Sequence, residues 1–431
     1  MPRILLINPW VYDFAVYNLW ARPLGLLKVA KFLSQYDINI RLIDCMEEFK
    51  PGRYNTSKYL RVPVEKPLTL KDIPRQFSRY GMDLKTFKEK IKKSRPFDAV
   101  FVTSIMTYWY PGVAKSVEII REISQDSTII LGGIYATLFP EHAKRAVKPD
   151  SIHKGAINDE CIKSANLNGL QKVRKEIPYY RLDLYKTILF ASLFTSCGCP
   201  FACSYCALPF LNEKFYQRTC NEVVKEIKEL CNIGVIDFAF YDDALLINSD
   251  RYIKPLLKEV IKSGLKVRFH CPNGIHAKYV DDELAHLMKK AGFKTIRLGL
   301  ETVDEKRQRK TGGKVSTDDL KNAVRCLKRQ GFTKKETGVY LMYGLYRQTL
   351  SEVIDGIKFL MSLDVTINLT EYSPIPHTDS FNELVSNGII NADVDPLLTN
   401  NTVFSYLISG YDNREVERMK LRVKEYNRIM D

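Results

Sequence analysis

The sequence predicts two α/β units in series, a doubly wound parallel-sheet domain and then a partial (β/α)6 barrel. Three observations predict this. Short β-type runs alternate with amphipathic helical stretches through the first 150 residues. The alternation restarts near residue 187 and runs through six β/α units. At 431 residues the chain also exceeds one ordinary domain.

In order, Arg3–Asn8 reads as a strand, the apolar spacing from Pro23 to Leu33 as a helix, and Ile38–Asp44 as a second strand, a βαβ unit. Residues 50–95 interrupt the alternation with a basic insertion and one helix near Asp83–Lys93. Strands at Asp98–Ser104 and Thr128–Gly133 follow, with helices near Val113–Ser124 and Pro140–Val147. Residues 1–150 are thus expected to form an open Rossmann-like sheet. Its crevice should lie at the carboxyl ends of the strands, where Asn8, Ser104–Tyr110, Gly132 and Gly133 gather. Residues 151–186 are weakly periodic and read as a linker. The barrel is expected over 187–380, its strands ending at Tyr241, Cys271, Glu301, Tyr343 and Tyr372 after a first strand over 187–195. Residues 381–431 read as a tail ending in a basic helix, Asn413–Met430.

Composition bounds the function. Hydrophobic residues make up 45% and charged residues 27%, suited to a soluble chain with large cores. No apolar run approaches a membrane span, and the start carries no secretory pattern, so a cytoplasmic location is expected. The net charge is +15, and residues 50–95 hold fourteen Lys/Arg against four Asp/Glu. A solvated basic surface is the plain reading; an acidic substrate or nucleic acid is the alternative. Four of the ten cysteines crowd into residues 197–206, a metal or redox pattern in a reducing compartment and not a disulfide framework.

That crowding carries the chemistry. Cys199, Cys203 and Cys206 stand at C-x3-C-x2-C spacing directly after a strand. Three soft thiolates on a short loop suit zinc or an iron–sulfur cluster, and both want four ligands. Either another residue, such as Cys197 or a distant histidine, closes the site, or one metal position stays open.

The loop and the strands behind it resemble the radical S-adenosylmethionine (SAM) superfamily over roughly residues 187–380. The resemblance implies that Cys199, Cys203 and Cys206 hold a [4Fe-4S] cluster. SAM chelates its open iron and is cleaved by one electron to a 5′-deoxyadenosyl radical. Tyr205 matches the aromatic residue before the last cysteine. Asp242 and Asp243 stand where the family holds SAM's amino group, though either could cap a helix. Glu301, in Leu298-Gly-Leu-Glu301, matches the residue that binds the SAM ribose. Tyr343-Gly344-Leu345 and Tyr372–Pro376 resemble the adenine-side and mouth segments. Cys197 and Cys271 are expected to be packed thiols, and Lys314 to sit on an exposed turn.

The front half resembles the cobalamin-binding domain of one large radical SAM subfamily. It does so in Pro23-Leu-Gly-Leu26, Gly132-Gly133-Ile-Tyr-Ala-Thr137 with Pro140-Glu-His142, and Tyr180-Arg-Leu-Asp183. The resemblance places Tyr108, Trp109, Gly132 and Gly133 at a corrinoid, although the same rings could cap the sheet. The D-x-H-x-x-G loop that supplies a cobalt-binding histidine in many cobalamin proteins is absent. Only Cys45 precedes residue 150 and none follows Cys326, which disfavours methylthiotransferases and enzymes with auxiliary clusters. The resemblance therefore implies cobalamin-dependent methyl transfer or rearrangement, with an electron donor such as flavodoxin or ferredoxin. The alternatives are a radical SAM enzyme whose front domain recognises a substrate or partner, and a non-enzymatic iron–sulfur protein.

Overall fold

The computed structural model describes residues 1–167, 169–173, 178–211 and 214–428. The chain divides into two compact units, Met1–Ile188 with Asp393–Asn400, and Leu189–Ala392 with Asn401–Asp431.

The front unit is built on five parallel strands: β1 (Arg3–Asn8), β2 (Asn39–Asp44), β3 (Ala99–Val102), β4 (Thr128–Leu131) and β5 (Ser151–Ile152). Their order, β5-β4-β3-β1-β2, reverses direction at β1, so the switch-point crevice opens beyond the ends of β1 and β3. β1 and β3 are apolar and buried almost throughout, as strands covered on both faces must be. Helix Leu24–Leu33 packs Leu26, Ala30 and Leu33 against Ile4, Leu6, Phe101 and Ile130.

Two expectations change in this unit. The basic insertion holds its expected helix, as Leu84–Ser94, and also strands not expected: Arg61–Pro63 and Ser78–Tyr80 pair with each other, and Ser78–Tyr80 with Val11–Asp13, in a small antiparallel sheet. The exposed Arg-Val-Pro strand has no apolar alternation to announce it. Residues 151–186 are more than a linker. They supply β5 and the helix Asp159–Ser164, whose Cys161 and Ile162 enter the core. Their strand is two residues long, too short for a period to register.

The second unit carries β6 (Ala191–Leu193), β7 (Asp237–Phe240), β8 (Arg268–His270), β9 (Phe293–Glu301), β10 (Thr337–Tyr343) and β11 (Thr366–Glu371) in sequential parallel order. A two-residue strand, Ile275–His276, pairs beside β9 to make seven. Helices alternate with the strands at the expected places. Two open on capping boxes, Thr219 with Glu222 and Ser316 with Asp319, which satisfy orphan amides at each helix start.

Alternation sorts the barrel side chains. Phe238, Phe240, Phe269 and Phe293 pack ring against ring with centroids 5.1–6.1 Å apart, Phe240 and Phe293 stacked and the other pairs tilted. Several flanking positions are polar: Arg268 grips Asp237 through two 2.6 Å bonds, and His270 bridges Asp237 and Thr295 at 3.1 Å. The tail forms helices Asn401–Leu407 and Asn413–Arg428. The expected end of the latter at Met430 lies outside the described residues.

Candidate cluster and cofactor site

The cysteine loop is held by what precedes it. β6 stops at Leu193, and Ser196–Cys197 turn into an antiparallel pair with Tyr216–Gln217. The turn is fixed by Asp242, just past β7. Its Oδ1 accepts from Thr195 N, Thr195 Oγ1, Ser196 N and Ser196 Oγ at 2.5–3.0 Å. Asp242 is 4% exposed, and burial pushes its carboxyl up to about 6 against the pull of those donors. The carboxylate expected to hold an amino group is therefore turned inward, where it braces the loop. Its neighbour Asp243 accepts from Gly198 N at 2.8 Å. Gly198 has φ +83°, and a Cβ there would lie 2.9 Å from Lys214 O, so only glycine passes this corner. Cys197 is half-buried opposite Tyr216, and Cys271 is buried with its thiol pushed up by burial.

From this corner the chain presents Cys199, Cys203 and Cys206, all free thiols, with Cys203 buried and the others half-buried. Burial pushes the Cys199 and Cys206 thiols up, and a bound metal centre would deprotonate them. Three thiols on one braced loop fit a cluster whose remaining corner is left to another molecule. Among the described residues no three His, Cys, Asp or Glu side chains converge to hold a single ion.

The turn Thr311–Lys314 packs onto the loop from the other side. A Cβ on Gly312, at φ +113°, would sit 3.0 Å from Cys203 Cα. This contact corrects the expectation for Lys314, which is no exposed lysine. Its Nζ donates to Glu301 Oε1 at 2.8 Å, with the two side chains 19% and 12% exposed, and it lies 5.6 Å from the Tyr205 ring centre. Burial opposes its charge, but Glu301, Tyr205 and Cys203 hold its pKa well above the ordinary value. Glu301 itself has φ +69°, and the β9–β10 register shifts between Gly299 and Glu301. That irregularity re-aims the carboxylate at the strand end.

A residue that sequence reasoning missed stands beside the first cysteine. His276, 6% exposed, places Nε2 4.0 Å from Cys199 Sγ and stacks on Phe201 at 5.1 Å and 22°. Burial, then Lys314, lowers its pKa to about 4. Its signal was present: a histidine in the polar segment after the third barrel strand, at the end where such loops gather. Deeper on β9, Arg297 donates to Ile296 O at 3.0 Å, and among the described residues no carboxylate pairs with it.

In the front unit, a cavity of about 90 Å³ lies where the switch point predicts it. Asn8, Ser104 and Arg22 line it together with Trp10, Met46 and Trp109. Trp109 Nε1 donates to buried Asp13 at 2.6 Å, which fixes its ring. Tyr108 is 6% exposed and packs edge-on against Trp109. Gly132 and Gly133 close the crevice margin: Ser104 Oγ donates to Gly132 O at 2.8 Å, and a Cβ on Gly133 would meet Ser104 O at 2.2 Å. Both histidines of this unit are engaged, His142 with Tyr135 OH and His153 with Ala156 O.

Three thiols on the loop after the first strand of a parallel partial barrel, in a chain that opens with a doubly wound sheet, make a site suited to a cluster with one corner left to a cofactor. Residues 193–360 match the radical SAM superfamily model, so this part of the chain is a radical SAM domain. The superfamily's cofactors are a [4Fe-4S] cluster and SAM. Among curated proteins the chain is 24% identical over 337 residues to an uncharacterised methyltransferase of Pyrococcus horikoshii, covering 70% of this chain and 72% of that one. It is 23% identical over 340 residues to the anaerobic magnesium-protoporphyrin IX monomethyl ester cyclase of Rubrivivax gelatinosus, covering 69% and 60%. Among solved structures it is similar to the radical SAM methyltransferase TsrM of Kitasatospora setae, with cobalamin and a [4Fe-4S] cluster bound. The TM-score is 0.67 at 18% identity, over 90% of this chain and 78% of that one. The cobalamin-dependent radical enzyme OxsB gives a TM-score of 0.60 at 13% identity, over 98% and 62%. At these identities the structural likeness is one of fold, and it spans both units. The alignments span less than two thirds of the cyclase and of OxsB.

Proposed function

We propose that the chain is a cobalamin-dependent radical SAM enzyme that transfers a methyl group to, or rearranges, a substrate bearing an anionic group. The observation that carries this reading is the braced cysteine loop with the Lys314–Glu301 pair packed against it. When bound, the cluster and SAM supply reductive cleavage of a sulfonium, and a corrinoid supplies a methyl carrier.

The chain's own residues bind and orient. Cys199, Cys203 and Cys206 hold the cluster. Glu301 would accept from the ribose diol of SAM, Lys314 would pair with its carboxylate, and Asp243 would accept from its ammonium group. Tyr205 shields that face from water. Arg297, a cation on β9 with no acidic partner among the described residues, favours an anionic substrate. In the front unit the apolar crevice around Trp109 is the surface that a corrinoid would contact. An external one-electron donor completes the system; among the described residues no helix is long and apolar enough to cross a membrane.

The test is anaerobic reconstitution of the full chain with iron, sulfide and hydroxocobalamin, followed by SAM and dithionite. Wild type is expected to form 5′-deoxyadenosine and retain about one corrinoid per chain, and Cys203→Ala to lose both cluster and cleavage. Cleavage without corrinoid would leave a radical SAM enzyme whose front unit serves recognition. Cleavage by the Cys203→Ala protein would overturn the site.

A further inference from the structure

His276 does not belong to the thiol tripod, yet the fold delivers it there. The two-residue strand Ile275–His276 pairs with Leu298–Gly299 of β9, which fixes the backbone. Phe201, inside the cysteine loop, stacks on the imidazole at 5.1 Å and 22°, and Tyr279 meets it edge-on at 6.3 Å. The ring is thus set in two directions before any metal arrives. Its Nε2 lies 4.0 Å from Cys199 Sγ, at the long limit of a hydrogen bond to sulfur. Nδ1 is buried with no partner among the described residues.

A neutral imidazole carries one N–H. With the proton on Nε2, the sulfur gains a donor, and the remaining nitrogen keeps only an unused acceptor lone pair. With the proton on Nδ1, a buried donor would be stranded, at a cost of about 1–3 kcal/mol. The surroundings therefore favour the Nε2–H tautomer. A donor aimed at a cysteine that becomes a cluster thiolate withdraws charge from it, and such bonds are among the factors that set cluster potentials.

We infer that His276 is a positioning residue that donates an Nε2–H···S hydrogen bond to Cys199 and raises the reduction potential of the cluster held there. It acts through Cys199, its nearest thiol partner. The inference rests on reading Cys199, Cys203 and Cys206 as cluster ligands, and iron and sulfide content of the reconstituted protein tests that reading separately.

The experiment is an anaerobic redox titration of the full reconstituted chain without SAM, following the EPR signal of the reduced cluster. Wild type is compared with His276→Phe, which keeps a stacking ring but no N–H, and with His276→Gln, whose amide reaches the Nε2 position. His276→Phe is expected to load wild-type iron and sulfide, with the reduced-to-oxidised ratio at fixed potential falling about tenfold, or about 59 mV for one electron. His276→Gln is expected to recover most of that shift. Labelling histidine with ¹⁵N is expected to give only a weak nitrogen coupling to the reduced cluster. Equal potentials in wild type and His276→Phe would overturn the inference. A strong coupling would also overturn it, because the ring would then be a ligand. So would loss of iron from both variants, because the ring would then be needed for assembly.

Discussion

Glu301 and Lys314 form the least exposed carboxylate–ammonium pair beside the cysteine loop. Breaking such a pair from one side strands a charge. Lys314→Met should therefore lower unfolding stability by about 3 kcal/mol, whereas Lys314→Met with Glu301→Gln should recover part of that loss. Denaturant titration of the apo protein reads both, and strict additivity of the two substitutions would remove the pair from the account. Asp242 gives a pH signature. Its folded pKa, about 6, lies above the ordinary 3.8, so between those values the folded state holds a proton that the unfolded state has lost. Its contribution is fully present below 3.8 and is lost as pH rises through about 6, roughly 3 kcal/mol in all. Stability of wild type relative to Asp242→Asn should accordingly fall between pH 4 and pH 6.5 and then level off. A flat difference would mean that Asp242 is ionised throughout. That the three cysteines share one loop was legible from their spacing, and that Glu301 ends its strand from the pattern of that element. The inward turn of Asp242 and the burial of Lys314 were not, because neither follows from the period of its own element. They depend on Thr195, Ser196 and Cys203, which are distant in sequence.

Among the elements, the barrel was the more legible unit. Helix Asp282–Ala291 begins and ends where its apolar spacing predicts, and Gly292 at φ +95° stops it. β6 is shorter than the apolar run 187–195 suggests, because Asp242 draws Thr195 and Ser196 out of the strand. Strands too short to show a period, such as Ile275–His276 and Ser151–Ile152, were unreadable in isolation, although one of them carries His276. The turn Thr311–Lys314 illustrates how elements share a site, since Gly312 lets it approach the cysteine loop to backbone contact. Gly312→Val brings both a side chain into a space of 3.0 Å and an unfavourable φ. The reconstituted variant should hold less than half the wild-type iron while its far-ultraviolet circular dichroism stays unchanged. Full iron loading in that variant would show that the two loops do not depend on each other.

At the scale of the whole molecule, two compact units carry two separate sets of candidate contacts. The thiol tripod, Asp242 and the Lys314–Glu301 pair all belong to the second unit, and the crevice around Trp109 belongs entirely to the first. If each unit keeps its own core, losing one cofactor should not by itself abolish the other's site. Cys203→Ala should lose the cluster yet retain corrinoid at near-wild-type stoichiometry. Trp109→Ala removes a ring that lines the crevice and leaves Asp13 without one of its donors. It should weaken corrinoid retention at least tenfold, with iron content and dithionite-driven formation of 5′-deoxyadenosine unchanged. Absorption spectra after gel filtration read corrinoid and cluster on the same sample. Loss of both cofactors from either variant would mean that the units fold or load as one. Retention of corrinoid by Trp109→Ala at wild-type affinity would move the corrinoid away from the switch-point crevice and leave that crevice to a substrate or partner.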